Sequence, residues 1–184
     1  MIVGIFGGSF NPPHVAHVLA VAYVLSTQEL DRVLVLPTYQ HPFAKALAPF
    51  EERVAMCEKA MGWLPRVEVS RVEAELGGES RTLRTLEHLR AVNPDWKMRL
   101  MMGADLVVES PKWYGFDAIK QLAPPLVLGR EGVFFEGAPT PILPAISSTF
   151  VRERLAARDF GALVEVVPRA VLEHVRAQGL YGAA

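Results

Sequence analysis

Between residues 7 and 17 the chain reads GGSFNPPHVAH, joining an apolar strand to an apolar helix with two glycines, two prolines and two histidines. Glycines allow close backbone approach to a ligand, and prolines stiffen the chain as it enters a helix. The free N–H groups of a helix start favour an anion. His14 and His17 stand three residues apart, so they share one helical face. Together these features describe a compact phosphate site. A dinucleotide fingerprint of the GxGxxG type is absent, and Asp31 precedes the second strand instead of ending it. A phosphate-binding loop ending in lysine and serine or threonine is absent too. The two histidines could serve a metal, but no third ligand follows nearby, so the sequence leaves metal ligands unassigned.

A second group of chemical residues lies in ISSTFVRERL, residues 146 to 155. Ser147 or Ser148 suits a helix N-cap, with Thr149 beside it. Arg152 near that start opposes the helix dipole, which favours an anion held between them. Gly103 and Asp105 in MMGAD follow a strand end, where Asp105 also suits a helix start. Trp113 and Tyr114 fall in the turn SPKWYG, where large aromatics call for a covering partner. The loop TYQHPFAKALAP contributes Thr38 at a strand end, and His41 and Lys45 as cations able to close over phosphates.

These residues require a scaffold that brings strand ends together. IVGIF (2 to 6), VLVLP (33 to 37), KMRLMMG (97 to 103) and PLVLG (125 to 129) read as buried strands, with a short segment near PILPA. RVEVSRVEAEL (66 to 76) alternates and predicts a further strand. Helical patterns lie between them: His14 to about Glu29, buried on several sides; FEERVAMCEKAMGW; TLRTLEHLRAV (82 to 92); Ser148 to Ala157; and Pro168 to Gln178, stopped by Gly179. This alternation predicts a doubly wound, mainly parallel α/β sheet in a single domain over residues 1–184.

Composition agrees with a small-ligand protein. The chain has 184 residues, is 51% apolar and carries a formal net charge of −1, which gives no electrostatic footprint for nucleic acid or a membrane surface. Its one cysteine, Cys57, sits in a helical pattern and reads as an inert thiol. No membrane-length apolar run or signal sequence is evident, so a cytoplasmic location is expected. A homo-oligomer is compatible with the sequence.

The motifs resemble the nucleotidylyltransferase superfamily, with its (T/H)xGH motif after the first strand and ISSTxxR near the end. GGSFNPPHVAH, the start of SRTLRTLEHLR, MMGADLVVESPKWYGFDAI and ISSTFVRERL together are similar to bacterial nicotinate-nucleotide adenylyltransferases. Ala16 departs from the motif glycine, and Arg81 from the usual tyrosine before Thr82. The resemblance implies a Rossmann-like nucleotidyltransferase fold and transfer of an adenylyl group from ATP, as its Mg²⁺ complex, to nicotinate mononucleotide in NAD biosynthesis. It implies catalytic roles for His14, His17 and Arg152. Gly7, Gly8, Ser9, Phe10, Lys45, Gly103, Asp105, Ser147, Ser148 and Thr149 would join them around ATP. Thr38, Arg81, Thr82, Trp113 and Tyr114 would bind the mononucleotide.

Overall fold

A computed structural model describes residues 1–41 and 46–183. Six strands form one sheet: β1 (Ile2–Gly8), β2 (Arg32–Pro37), β3 (Val67–Val69), β4 (Lys97–Gly103), β5 (Pro125–Arg130) and β6 (Pro141–Leu143). Their spatial order is β3-β2-β1-β4-β5-β6. Every pairing is parallel. The order reverses between β1 and β4, and in such open sheets the ligand crevice lies at the carboxyl ends beside the reversal. Gly7, Gly8 and Gly103 stand at those ends.

The helices are α1 (Val15–Thr27), α2 (Phe50–Met61), α3 (Val72–Leu76), α4 (Thr82–Val92), α5 (Ala104–Glu109), α6 (Phe116–Leu122), α7 (Ser148–Ala156) and α8 (Arg169–Ala177). Strand periodicity divides the core between the two sheet faces. Phe6, Val33, Val35 and Met101 pack toward α1, α2, α7 and α8, whereas Val3, Ile5, Leu34 and Met102 pack toward α4 and α6. Both faces are covered, which is why the strands read as continuous apolar runs.

Two expectations change. Residues 66 to 76 do not form one strand: β3 ends at Val69, and Val72–Leu76 turn into α3. The alternating pattern of EVSRVEAEL also fits a short helix burying Val72 and Glu73, whose carboxylate accepts a 2.7 Å hydrogen bond from the Thr85 hydroxyl. Helix α1 is less enclosed than its composition implies, since Leu19 and Tyr23 are exposed on its outer side. Cys57 is buried and unpaired, and burial pushes its thiol pKa up, which agrees with an inert role.

The chain between β1 and α1 has few internal backbone bonds and is held from outside. Arg53 of α2 is almost wholly buried. It donates from Nε to the Ala48 carbonyl at 2.9 Å and from Nη1 to the Ser9 carbonyl at 3.0 Å. Its Nη2 reaches the Tyr39 carbonyl at 3.5 Å, and its guanidinium lies over the Phe50 ring. Asn11, also buried, accepts at Oδ1 from Ala48 N–H (3.0 Å) and the Tyr181 hydroxyl (2.8 Å), and its Nδ2 donates to the Ala46 carbonyl. Burial raises the Tyr181 pKa, which keeps its hydroxyl a donor. Hydrogen bonds from a charged donor contribute about 1.5 to 3 kcal/mol each, and stranded acceptors add a desolvation cost. Arg53→Met is therefore expected to cost at least about 3 kcal/mol in urea denaturation. A loss below about 1 kcal/mol would refute the bracing role of Arg53.

Candidate functional site

The reversal of strand order produces a cavity of about 230 Å³ at the carboxyl edge of the sheet. Gly7, Gly8, His14, His17, Gly103, Asp105, Ser147 and Ser148, all expected from sequence, line it, together with Arg130 and Ala16. Open space lies where a side chain at Gly7 would begin, so this strand end leaves room for a ligand against the backbone. Ala16 is buried in the wall, and its methyl takes volume that the motif glycine would leave open.

His14 is the N-cap residue of α1. Its N–H donates to Nδ1 of His17 at 3.1 Å. That bond makes Nδ1 of His17 an acceptor, which assigns the proton of the neutral ring to Nε2. The two rings stack with centroids 3.8 Å apart, and Phe10 meets His17 edge-on at 5.0 Å. Among the described residues, the buried Nδ1 of His14 has no hydrogen-bond partner.

Burial, and then the Arg130 charge, lower the pKa of His14 to about 4. For His17 burial, the His14 ring and Arg130 act in the same direction and hold the pKa well below its usual value. Both rings are neutral at pH 7 in the free protein, so they act as N–H donors and not as standing cations.

The other wall comes from α7. Ser147 caps it, accepting from Phe150 N–H at 3.1 Å, and Ser148 donates to the Pro12 carbonyl at 2.9 Å. Arg152 lies one turn in, donating to the Asn11 carbonyl at 2.8 Å and to the Thr149 hydroxyl at 3.2 Å. Arg152 and Thr149 therefore brace the GGSFNPPH loop beside the cavity and do not line it. Ser9 and Phe10 also stand behind the wall: the Ser9 carbonyl binds Arg53, and the Phe10 side chain is buried with a left-handed φ of 45°. Lys45 lies outside the described residues.

The residues expected for the second substrate form a separate region near the end of β2. Thr38 donates its N–H to the Gly8 carbonyl at 2.9 Å, and Tyr39 donates its own to the Ser80 hydroxyl at 2.9 Å. Arg81 occupies the N-cap position of α4, with Thr82 in its first turn. The Arg81 side chain is ion-paired with Glu79 at 2.7 Å. The end of the Leu83 side chain of α4 packs on Gly115, whose left-handed φ of 68° suits glycine, so the Trp113–Tyr114 turn lies at the start of α4. Trp113 is half-buried against Phe116, and Tyr114 is exposed.

Sequence reasoning missed Arg130 and Arg53. The signal for Arg130 was its place directly after the predicted strand PLVLG, at a carboxyl end. Arg53 gave none beyond a cation among the buried positions of an amphipathic helix.

A six-stranded parallel sheet with this order and a crevice at its reversal defines a Rossmann-like α/β protein. The profile of the cytidylyltransferase-like family matches residues 5–154. The chain belongs to that family. It is 48% identical to the protein of Anaeromyxobacter sp. (strain K) named "Probable nicotinate-nucleotide adenylyltransferase", over 97% of this chain and 96% of that one. It is 41% identical to the protein of the same name from Myxococcus xanthus, over 98% and 94% of the two chains. The fold matches nicotinic acid mononucleotide adenylyltransferase of Plasmodium falciparum, solved in complex with NaAD. The TM-score is 0.85 and the identity 16%, covering 100% of this chain and 98% of that one.

The histidine geometry predicts a pH dependence of stability. The unfolded value for His14 is near 6.5 and the folded value about 4, so on acidification the unfolded chain binds this proton first. Stability therefore falls as pH drops from about 6.5 to 4, by about 3 kcal/mol from this group, and levels below. Urea denaturation across this window should show a shallower fall for His14→Asn than for the parent. Parallel profiles would contradict the burial of a neutral ring.

Proposed function

We propose that the protein is a nicotinate-nucleotide adenylyltransferase, joining ATP and nicotinate mononucleotide to give nicotinate adenine dinucleotide and pyrophosphate, in the cytoplasmic synthesis of NAD. Residues 1–184 act as one catalytic unit on small molecules, with no nucleic-acid partner. The observation that carries this reading is the cavity in which two neutral histidines and the capped start of α7 meet at the sheet reversal. The relatives' shared name supports the choice of acceptor.

The acceptor's phosphate is already largely ionised at neutral pH, its second pKa being about 6, so the reaction needs no strong base. Its oxygen attacks the α-phosphorus of ATP, a P–O bond forms, and the bond to the leaving pyrophosphate breaks. The protein then has to align two polyanions and bind charge as it develops. Nε2–H of His17 and the ring of His14 serve the phosphates of ATP, beside the strand end at Gly7 and Gly8. Arg152 holds the leaving pyrophosphate with the donors that Asn11 and Thr149 leave over. Among the described residues no cluster of His, Cys, Asp and Glu is suited to hold a metal ion. Asp105 is the described carboxylate in the cavity wall. This set fits Mg²⁺ carried in by the triphosphate and bound mainly through phosphate and water; there the ion neutralises phosphate charge.

On the acceptor side, the first amides of α4 have no intrahelical acceptor, and the helix dipole is positive there. A carboxylate suits that end, whereas an amide would turn its NH₂ toward donors. Trp113 offers its ring to the pyridinium.

Mass detection of the dinucleotide formed from ATP and each candidate acceptor tests the reading directly. Product with nicotinate mononucleotide supports it, and product only with another acceptor overturns it. His17→Ala should lower turnover by about 10² to 10³ while remaining folded, the effect expected for loss of a donor to developing charge. Unchanged turnover in that variant rules out the role given to His17. The carboxylate preference over nicotinamide mononucleotide should be on the order of 10 to 10³ in kcat/KM. Arg81→Ala narrows it if the side chain shares in the recognition and leaves it intact if the backbone amides alone do. Equal kcat/KM for the two acceptors would end the argument about this turn.

A further inference from the structure

Arg130 ends β5 at an irregularity in the β5–β6 register, the kind of backbone feature that re-aims a side chain beside a site. Gly129 permits it, because a side chain there would collide with the carbonyls of Pro139 and Thr140. The Arg130 side chain is largely buried, and it lines the cavity with His14, His17 and Asp105. Its two arms point to different elements. Nη1 donates to Oδ2 of Asp105 at 3.0 Å, and Nη2 donates to the Ile146 carbonyl, just before the cap of α7. The other Asp105 oxygen, Oδ1, lies over Gly103, in space that any Cβ at 103 would occupy.

We infer that Arg130 is a positioning residue for ATP: it fixes one oxygen of Asp105 so that the other is presented to the ribose hydroxyls, and it holds the 146–148 segment at the phosphates. This rests on the adenylyltransferase reading for its ligand, though not for its acceptor. A carboxylate on a short side chain at a helix start has several rotamers, and a guanidinium donor selects one of them. With Oδ2 occupied, Oδ1 has free lone pairs and faces a wall that glycine keeps open. Burial first, with the same guanidinium acting in the same direction, lowers the pKa of both histidines. Lysine cannot reproduce the two-armed bridge, because an ammonium is a point charge without the planar fork.

The test is equilibrium binding of ATP against 2′,3′-dideoxy-ATP by calorimetry, in the parent protein and in Arg130→Met, Arg130→Lys, Asp105→Ala and the Asp105→Ala/Arg130→Met double variant. A merely structural arginine would weaken both nucleotides alike. A positioning arginine changes their ratio. The parent should favour ATP by about tenfold or more, the size expected for hydrogen bonds to a charged acceptor. Arg130→Met should lose most of that ratio, Arg130→Lys should recover part of it, and the double variant should discriminate no less than Asp105→Ala alone. An unchanged ratio in Arg130→Met overturns the inference, as does a double variant whose ratio falls well below that of Asp105→Ala. Failure of the parent to bind ATP at all would remove both this inference and the proposed function. Failure to form the dinucleotide with intact ATP binding would remove the proposed function alone.

Discussion

The structure depends on how the loop from Ser9 to Pro13 satisfies its backbone. A ligand-binding crevice needs an irregular segment at the strand ends, yet irregular backbone carries carbonyls and amides with no ladder to bond to. Here the partners come from distant parts of the chain. Arg53 takes the Ser9 carbonyl, Arg152 the Asn11 carbonyl and Ser148 the Pro12 carbonyl. The Asn11 side chain meanwhile ties the 46–48 segment to Tyr181. The loop is rigid because α2, α7 and the C-terminal segment all hold it, and none of those contacts is local.

That rigidity bears on the electrostatics. Two stacked histidines in a site built for polyanions would be expected to carry charge, but burial and Arg130 keep them neutral. A neutral donor held in place gives less attraction for the ground-state triphosphate than a cation would. It costs no reorganisation when charge develops, and that favours transition-state over ground-state binding. The positive charge at the cavity and beside it is left to Arg130 and Arg152.

What the sequence disclosed follows from the range of the interactions. Buried parallel strands and amphipathic helices leave periodic marks, so TLRTLEHLRAV and KMRLMMG match α4 and β4 to the residue. The histidine pair and the serines of ISST are local too, since a helix start imposes spacing. Arg53 and Tyr181 leave no such mark, because each acts on a residue brought close only by the fold, and Arg130 shows only its place after a strand. The short helix α3 was hidden for a different reason. Five residues are too few for a helical period to separate from alternation, and the buried Glu73 is explained only by Thr85, on the next helix.

The two substrate regions share their supports, and this constrains how either can change. Thr38 bonds the Gly8 carbonyl, so the acceptor side begins on the same strand end that opens the cavity. Tyr39 is held on one side by Ser80, next to Arg81, and its carbonyl faces Arg53, which also fixes Ser9. Gln40 then pairs with Glu79, the residue bonded to Arg81. Residues 38 to 40 thus connect the start of α4 to the loop after β1 through hydrogen bonds. A packed, fully bonded route of this kind has little freedom to adjust piecemeal. Under the proposed function, the acceptor and nucleotide ends are then held together, as in-line transfer between two bound polyanions requires.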